Sequence, residues 1–223
     1  MTTDFIKKIR KNIYDALFPV RCPYCGKVID KTQIACKNCL NMFPEISYRR
    51  FASGGYKCCT PFLYRGIFAA AAKRFKFANG GGYSPQLSAV IAKSISECYP
   101  DILADIDYVT CVPMHKKQLR QRGYNQAKLL ARDCAEILKI PYIDALEKYR
   151  ENETQHNLRA SLREQNVKGV YRVCNKNFVK GKNILLIDDI ITTGNTLGEC
   201  CRVLEKSGCN QVICAALCDA QLR

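Results

Sequence analysis

Two consecutive carboxylates, Asp188 and Asp189, stand between an apolar run at residues 184–187 and a turn rich in hydroxyl groups. Backbone amides and threonine hydroxyls at a helix N-terminus form a cradle for phosphate, and glycine lets the backbone approach it closely. Carboxylates accept hydrogen bonds from a diol. The segment therefore predicts a sugar-phosphate site; the alternative is an ordinary strand-to-helix turn with an acidic start. The turn reads Thr192-Thr193-Gly194-Asn195-Thr196.

The spacing of this segment resembles the 5-phosphoribosyl-1-pyrophosphate (PRPP) loop of type I phosphoribosyltransferases. In both, four apolar residues, two acids and two apolar residues precede Thr-Thr-Gly-x-Thr. The resemblance implies that Asp188 and Asp189 hold the ribose 2′ and 3′ hydroxyls and form the catalytic pair. It also implies that the 5′-phosphate is held by Thr192, Thr193, Gly194, Asn195 and Thr196, with Mg²⁺ bound alongside PRPP.

A second candidate site is a cluster of four cations in seven residues that follows the first predicted strand. Taken alone, such a cluster is typical of a solvated basic loop. Beside a PRPP site, the cluster is more typical of a pyrophosphate-binding group, because pyrophosphate must be neutralised by cations and Mg²⁺. We therefore predict a pyrophosphate-binding loop, with contact to DNA as the alternative, formed by Lys116, Lys117, Arg120 and Arg122.

Cysteine spacing predicts a third site. Two CxxC pairs are separated by ten residues, and a CxxC turn lets both thiolates reach one ion. Four thiolates close a structural Zn²⁺ site with no open position, in preference to free thiols or a redox pair. The predicted ligands are Cys22, Cys25, Cys36 and Cys39. The adjacent Cys58 and Cys59 are predicted to be small buried residues, and the remaining nine of the 15 cysteines to be core residues.

The elements that must position these groups alternate between strands and helices. Strands are predicted at 108–112, 169–174, 184–188 and 211–217, and helices at 3–17, from Pro85 after an N-cap at Ser84, at 125–138 and at 194–207. This alternation predicts an α/β fold: a parallel sheet flanked by helices, with ligands at the carboxyl ends of its strands. We expect residues 1–60 to form the N-terminal helix and zinc ribbon, and residues 61–223 to form the phosphoribosyltransferase-like domain.

Charge is distributed unevenly over the 223 residues. The formal net charge is +15, of which the first 85 residues hold +11. This bias indicates either a solvated basic surface or one that binds anions, such as nucleic acid, nucleotides or anionic lipid. An apolar fraction of 48% argues against intrinsic disorder. No run reaches the roughly 18 apolar residues of a membrane span, and the start lacks the apolar core of a secretory signal. With an odd number of cysteines, we expect a reducing cytoplasm.

The order of three motifs carries a wider resemblance. CPYCG with a second CxxC, then VPMHKKQLRQRGYNQ, then LIDDIITTGNT is similar to the ComF (ComFC/GntX-like) family. Lys76-Phe77 also matches that family. Longer members carry a second ribbon with further CxxC pairs, and here only Cys58-Cys59 stands near its place.

The ComF resemblance implies a zinc ribbon joined to a type I phosphoribosyltransferase domain, in a late competence protein of DNA uptake and natural transformation. It implies handling of incoming single-stranded DNA, and a helicase-like ComFA partner through which the protein associates peripherally with the membrane. No motif identifies an acceptor for phosphoribosyl transfer. The alternative function is a metabolic phosphoribosyltransferase, of the nucleotide-salvage or amidophosphoribosyltransferase-like kind.

Overall fold

The computed structural model describes residues 19–77, 80–150 and 169–221. The predicted helix at 3–17 lies outside these ranges. The strands are β1 (Tyr48–Ala52), β2 (Tyr56–Thr60), β3 (Phe62–Leu63), β4 (Tyr108–Cys111), β5 (Leu146–Lys148), β6 (Tyr171–Val173), β7 (Asn183–Ile191) and β8 (Gln211–Asp219). The α-helices are α1 (Lys37–Leu40), α2 (Gly66–Lys76), α3 (Ser84–Cys98), α4 (Pro100–Ala104), α5 (Lys116–Arg122), α6 (Gln126–Leu138) and α7 (Asn195–Lys206).

One six-stranded sheet forms the core, in the order β1-β2-β8-β7-β4, with β3 also paired to β8. All pairs except β1–β2 are parallel. Residues 184–187 of β7 are fully buried, as expected for a parallel strand covered on both faces. A separate antiparallel pair joins β5 to β6. The predicted α/β fold with a parallel sheet is therefore confirmed.

The central strands are longer than their sequence patterns predict. β7 continues to Ile191 because Ile190 and Ile191 pair in register with Cys218 and Asp219 of β8. Both acids of the predicted site consequently lie within a strand. Ser84 was expected to be the N-cap of α3, but a 3-10 helix at Gly80–Tyr83 runs directly into that helix, and Tyr83 takes the cap position.

The predicted basic loop is instead a short helix, α5. The Nδ1 atom of His115 accepts a hydrogen bond from the backbone N–H of Lys117 (3.4 Å) at its start. At its end Gly123 adopts a left-handed conformation (φ 81°) and donates to the carbonyl of Leu119. Capping residues at both ends stabilise this seven-residue helix, in which no residue is buried.

The β1–β2 hairpin packs directly on the start of α7. A Cβ atom at Gly198 would lie 2.1 Å from the carbonyl oxygen of Ser53, and one at Gly194 would lie 3.0 Å from the Cα of Ala52. Only glycine allows the helix and the hairpin to approach this closely. The predicted domain boundary at residues 60 and 61 falls between β2 and β3, and it stays a prediction.

The close approach at Gly198 predicts the sign of one substitution. Gly198→Ala should gain up to about 1 kcal/mol of helix propensity, but the overlap with Ser53 should cost roughly 1–3 kcal/mol or more. We expect a net loss in the free energy of unfolding, measured by urea denaturation. Gly82→Ala is the control, because its Cβ would meet nothing within 4 Å. A Gly198→Ala chain as stable as the wild type would contradict this packing.

Candidate functional site

A polar cleft of about 200 Å³ opens beyond the carboxyl end of β4 and beside the last residues of β7. It brings together groups from both predicted PRPP segments: Asp188, Asp189 and Thr196 on one side and Arg122 on the other. The structure adds two cations to this cleft that the sequence did not assign to it, Lys76 and Lys148. The cleft also contains the amide side chains of Gln118, Asn125 and Gln126.

The two acidic side chains fold back onto the backbone of their own strand. Asp188 Oδ1 accepts from the N–H of Asp189 (2.8 Å), and Asp189 Oδ1 accepts from the N–H of Ile190 (2.7 Å). Lys76 Nζ lies 3.4 Å from Asp189 Oδ2. The pKa of Asp188 is raised, because the protein withdraws it from water and because the charge of Asp189 lies beside it. The pair therefore favours a ligand that brings hydrogen-bond donors or a cation.

The predicted phosphate turn links β7 to α7 as expected. Gly194 has φ 80° and caps α7, and Thr193 Oγ1 accepts from the N–H of Asn195 (3.4 Å). α7 has twelve residues, so the free amides of its first turn carry the positive end of a substantial helix dipole. Of the turn, Thr196 lines the cleft, while Thr192 is exposed and Gly194 is buried.

The N-terminal hairpin holds this turn in place through Arg50, a residue that no sequence motif selects. Arg50 Nη1 donates to both carboxylate oxygens of the fully buried Asp219 (2.8 Å each) and to the carbonyl of Thr192 (3.2 Å). The N–H of Ser53 points to the carbonyl of Gly194 (3.4 Å). These contacts hold two carbonyl groups of the turn.

Lys76 reaches the cleft because the end of α2 is fastened to the segment before α6. The carbonyl of Phe75 accepts a hydrogen bond from the hydroxyl of Tyr124, and the carbonyl of Lys76 accepts one from the side chain of Gln126 (3.4 Å). In the sequence Lys76 is 112 positions before Asp188 (188 minus 76), and no local pattern connects the two.

The four predicted pyrophosphate ligands do not all line the cleft. Arg122 lines the cleft, whereas Lys116 lines a neighbouring cavity of about 490 Å³ on the far side of α5. Lys117 and Arg120 are exposed on the same helix. The two spaces share four lining residues: Pro113, Met114, Asn125 and Lys148. The role of these cations in binding pyrophosphate stays a prediction.

The four predicted metal ligands lie together. The Sγ atoms of Cys22, Cys25, Cys36 and Cys39 are all within 4.8 Å of one another, and tetrahedral Zn²⁺ would hold sulfurs about 3.8 Å apart. Gly26 (φ 82°) donates to the carbonyl of Cys22 (2.8 Å) and closes the knuckle. A hydrogen bond from the backbone of Cys39 lowers the pKa of Cys36 to about 7. A set of thiolates with these spacings fits a structural metal ion.

The cysteine cluster is packed against the rest of the molecule by aromatic rings. Tyr24 is buried and makes edge-to-face contacts with Phe43 and Phe62 (centroids 5.0 and 5.7 Å apart). Arg74 Nη1 donates to the carbonyls of Pro23 (3.0 Å) and Tyr24 (2.6 Å). Arg74 belongs to α2, the helix that ends at Lys76, so one helix contacts both the cysteine knuckle and the acidic cleft.

The other cysteines follow the predictions with one exception. Cys58 and Cys59 are buried, and the described residues hold no second group of metal-ligating side chains. Of the nine predicted core cysteines, eight are buried and Cys174 is exposed. The prediction for Cys174 is wrong because β6 ends at Val173, which leaves the next residue outside the sheet.

Comparison with known proteins identifies one matching domain and several relatives that span most of the chain. Residues 125–222 match the family model described as "Phosphoribosyl transferase domain". The chain is 28% identical to "Competence protein F" of Haemophilus influenzae, over 86% of this chain and 81% of that protein. It is 26% identical to "DNA utilization protein YhgH" of Escherichia coli, over 88% and 83%. "Competence protein ComFC" of Bacillus subtilis is 28% identical, over 84% and 72%.

These relatives confirm the resemblance to the ComF family that the motif order predicts. The matched domain and the parallel sheet together confirm the predicted α/β class with a phosphoribosyltransferase-like domain. In residues 19–77, 80–150 and 169–221, no helix has the length and hydropathy that crossing a membrane requires.

The raised pKa of Asp188 predicts a gain of stability on its neutralisation. A carboxyl with a raised folded pKa destabilises the fold above that pKa, and the penalty vanishes below the unfolded value near 4. Asp188→Asn keeps an oxygen that can accept from the N–H of Asp189. We expect it to raise the free energy of unfolding at about pH 7.5, with a difference that shrinks towards pH 4. Urea unfolding across that range is the measurement.

Asp107→Asn is a control of opposite sign. The pKa of Asp107 is lowered by the hydrogen bond from the N–H of Asn183 and by Lys182. Its charge therefore stabilises the fold at neutral pH, and this contribution is lost as the pH falls through the lowered pKa. The Asn variant should be less stable at neutral pH. An Asp188→Asn chain that is also less stable than the wild type throughout would contradict the electrostatic reading.

Proposed function

We propose that this protein is a ComF-like late competence protein whose cleft binds PRPP together with Mg²⁺. The observation that carries the proposal is the single cleft in which Asp188, Asp189 and Thr196 face Arg122. An anionic pyrophosphate needs cations, a ribose diol needs acceptors, and a 5′-phosphate needs backbone amides. The cleft of about 200 Å³ contains cations and carboxylate acceptors, and Thr196 reaches it from the phosphate turn at the start of α7.

In this proposal each part of PRPP has its own partners. Asp188 and Asp189 accept hydrogen bonds from the 2′ and 3′ hydroxyls. The 5′-phosphate rests on the Thr192–Thr196 turn at the N-terminus of α7. The pyrophosphate lies towards Arg122, with Lys116, Lys117 and Arg120 on the same helix. Lys76 and Lys148 add positive charge to the cleft. Mg²⁺, when bound, neutralises the pyrophosphate and the acidic pair.

Calorimetry with PRPP and Mg²⁺ tests this arrangement. Asp188→Asn with Asp189→Asn should weaken PRPP binding by about 100-fold or more, because two charge-assisted hydrogen bonds of roughly 1.5–3 kcal/mol each are reduced. Asp101→Asn with Asp105→Asn is the control, since it makes the same charge change at exposed positions. Unchanged affinity in the cleft variant would reject the proposal. The alternative function, a metabolic phosphoribosyltransferase, is tested by measuring pyrophosphate release from PRPP with a panel of bases. Release with one of these bases would support the alternative.

The N-terminal region is proposed to hold one structural Zn²⁺ and to bind single-stranded DNA. Four exposed cations surround the cysteine knuckle: Arg21, Lys27, Lys31 and Lys37. The curated relatives carry names that refer to competence and DNA utilization. A set of thiols without disulfides fits a reducing cytoplasm. In the cytoplasm we propose that the protein binds a helicase-like partner, which would associate it peripherally with the membrane.

Salt dependence tests the DNA proposal. Binding to a fluorescent single-stranded oligonucleotide should weaken linearly in log[salt], with a slope of about −0.7 per neutralised phosphate. Replacing Arg21, Lys27 and Lys37 with Gln should therefore reduce the slope by about 2. The control replaces three cations exposed elsewhere: Lys139, Lys176 and Lys180. Two outcomes would contradict a DNA site on the knuckle: an equal change of slope in both triple variants, or an affinity that does not depend on salt concentration.

A further inference from the structure

Two surface cavities meet at one cysteine on the side of the sheet where α3 ends. One, of about 700 Å³, lies between β1 and the α3–α4 junction. The other, of about 600 Å³, lies against residues 45–47. Both are lined by Arg49, Glu97 and Cys98. Cys98 is the last residue of α3 and only 5% exposed, so small molecules reach it through these cavities.

A guanidinium group is fixed beside this thiol. Arg49 Nη2 is 3.5 Å from the carbonyl of Glu97, and its guanidinium carbon lies 5.5 Å from the ring centre of Tyr99. The residues on both sides of Cys98 thus hold Arg49 over it. The carboxylate of Glu97 is engaged elsewhere, by Ser47 Oγ (3.0 Å) and Lys93 Nζ (3.5 Å). Lys57 adds a further cation to the lining of the larger cavity, which also contains Asp101.

A second thiol lies directly behind the first. Cys59 is fully buried on β2, where it stands opposite Arg49 in the β1–β2 register. The hydroxyl of Tyr99 donates to the carbonyl of Cys58 (3.1 Å), which holds the end of α3 against this part of β2. The neighbouring Cys59 thiol and the guanidinium group of Arg49 lower the pKa of Cys98, against the opposing effect of desolvation by burial. The pKa of the exposed Cys174 is raised, by desolvation and by the charges of Glu147 and Asp144.

We propose that Cys98 is a reactive thiol that exchanges with small anionic disulfides and is then resolved by Cys59. The Cys98 thiolate attacks one sulfur of the disulfide RSSR, the S–S bond breaks, and one RS⁻ leaves with the bonding electrons. Cys59 then loses its proton to solvent, attacks Sγ of Cys98 and expels the second RS⁻. Two protein thiols are oxidised to a disulfide, and RSSR is reduced to two thiols, which take up the two protons. The cations Arg49 and Lys57 favour an anionic disulfide in the cavity.

The probe is 5,5′-dithiobis(2-nitrobenzoate), a dianion whose released thiolate is coloured, applied to the full-length zinc-loaded chain. Exposure alone predicts that Cys174 reacts first; the proposal predicts Cys98. We expect a fast release of one thiolate followed by a slower second release. Cys98→Ser should abolish the fast phase. Cys59→Ser should retain the fast phase and lose the slower second release of thiolate. Arg49→Gln should slow the fast phase about tenfold for this probe, and less for the cationic disulfide cystamine.

Peptide mapping of the wild-type chain after one equivalent of probe locates the first modified cysteine without any variant. Cys174→Ser is the matched control and should leave the fast phase unchanged. Zinc content and circular dichroism establish that each variant is folded. A fast phase that persists in Cys98→Ser, a first adduct on Cys174, or equal effects of Arg49→Gln on both disulfides would overturn the proposal.

Discussion

The ion pair between the part-buried Arg50 and the fully buried Asp219 joins the N-terminal hairpin to the end of β8. Arg50 lies on the first strand of the sheet and Asp219 is the last residue of β8. Removing one partner of such a pair costs about 3–5 kcal/mol, because the remaining charge is left buried without a counter-ion. The same guanidinium group holds the carbonyl of Thr192. The N-terminal hairpin is therefore part of the phosphate turn's support, although it is remote from it in sequence.

The acidic cleft has the opposite electrostatic character. Asp188 and Asp189 are adjacent and partly withdrawn from water, and Lys76 Nζ lies 3.4 Å from the carboxylate of Asp189. The raised pKa of Asp188 shows that the folded protein does not fully compensate this charge. A charge that lowers the stability of the fold in this way is typical of binding sites, where a ligand supplies the missing interaction partners.

Helix α2 links the cysteine cluster to that cleft. Arg74 donates to the backbone of the knuckle, and Lys76, two residues later, enters the cleft beside Asp189. The aromatic contacts of Tyr24 make the connection rigid, since edge-to-face pairs add about 0.5–1.5 kcal/mol each beyond burial. A metal ion in the knuckle would thus order the residues that position Lys76. This gives a physical reason for the cysteine motif and the acidic motif to occur in one chain.

The amino-acid sequence alone was sufficient for the features that are local in the chain. The CxxC pairs and the strand–turn–helix around Asp188 and Thr196 are set by short-range spacing, and both are found where their patterns predicted. The parallel sheet followed from the alternation of elements. Local caps also made α5 a helix, and these were missed because His115 is an uncommon N-cap. Only the tertiary structure placed Lys76, Lys148 and Arg50 around the site and Arg49 beside Cys98. These residues come from separate elements, and their contacts depend on how strands pair and helices pack, which no single segment specifies.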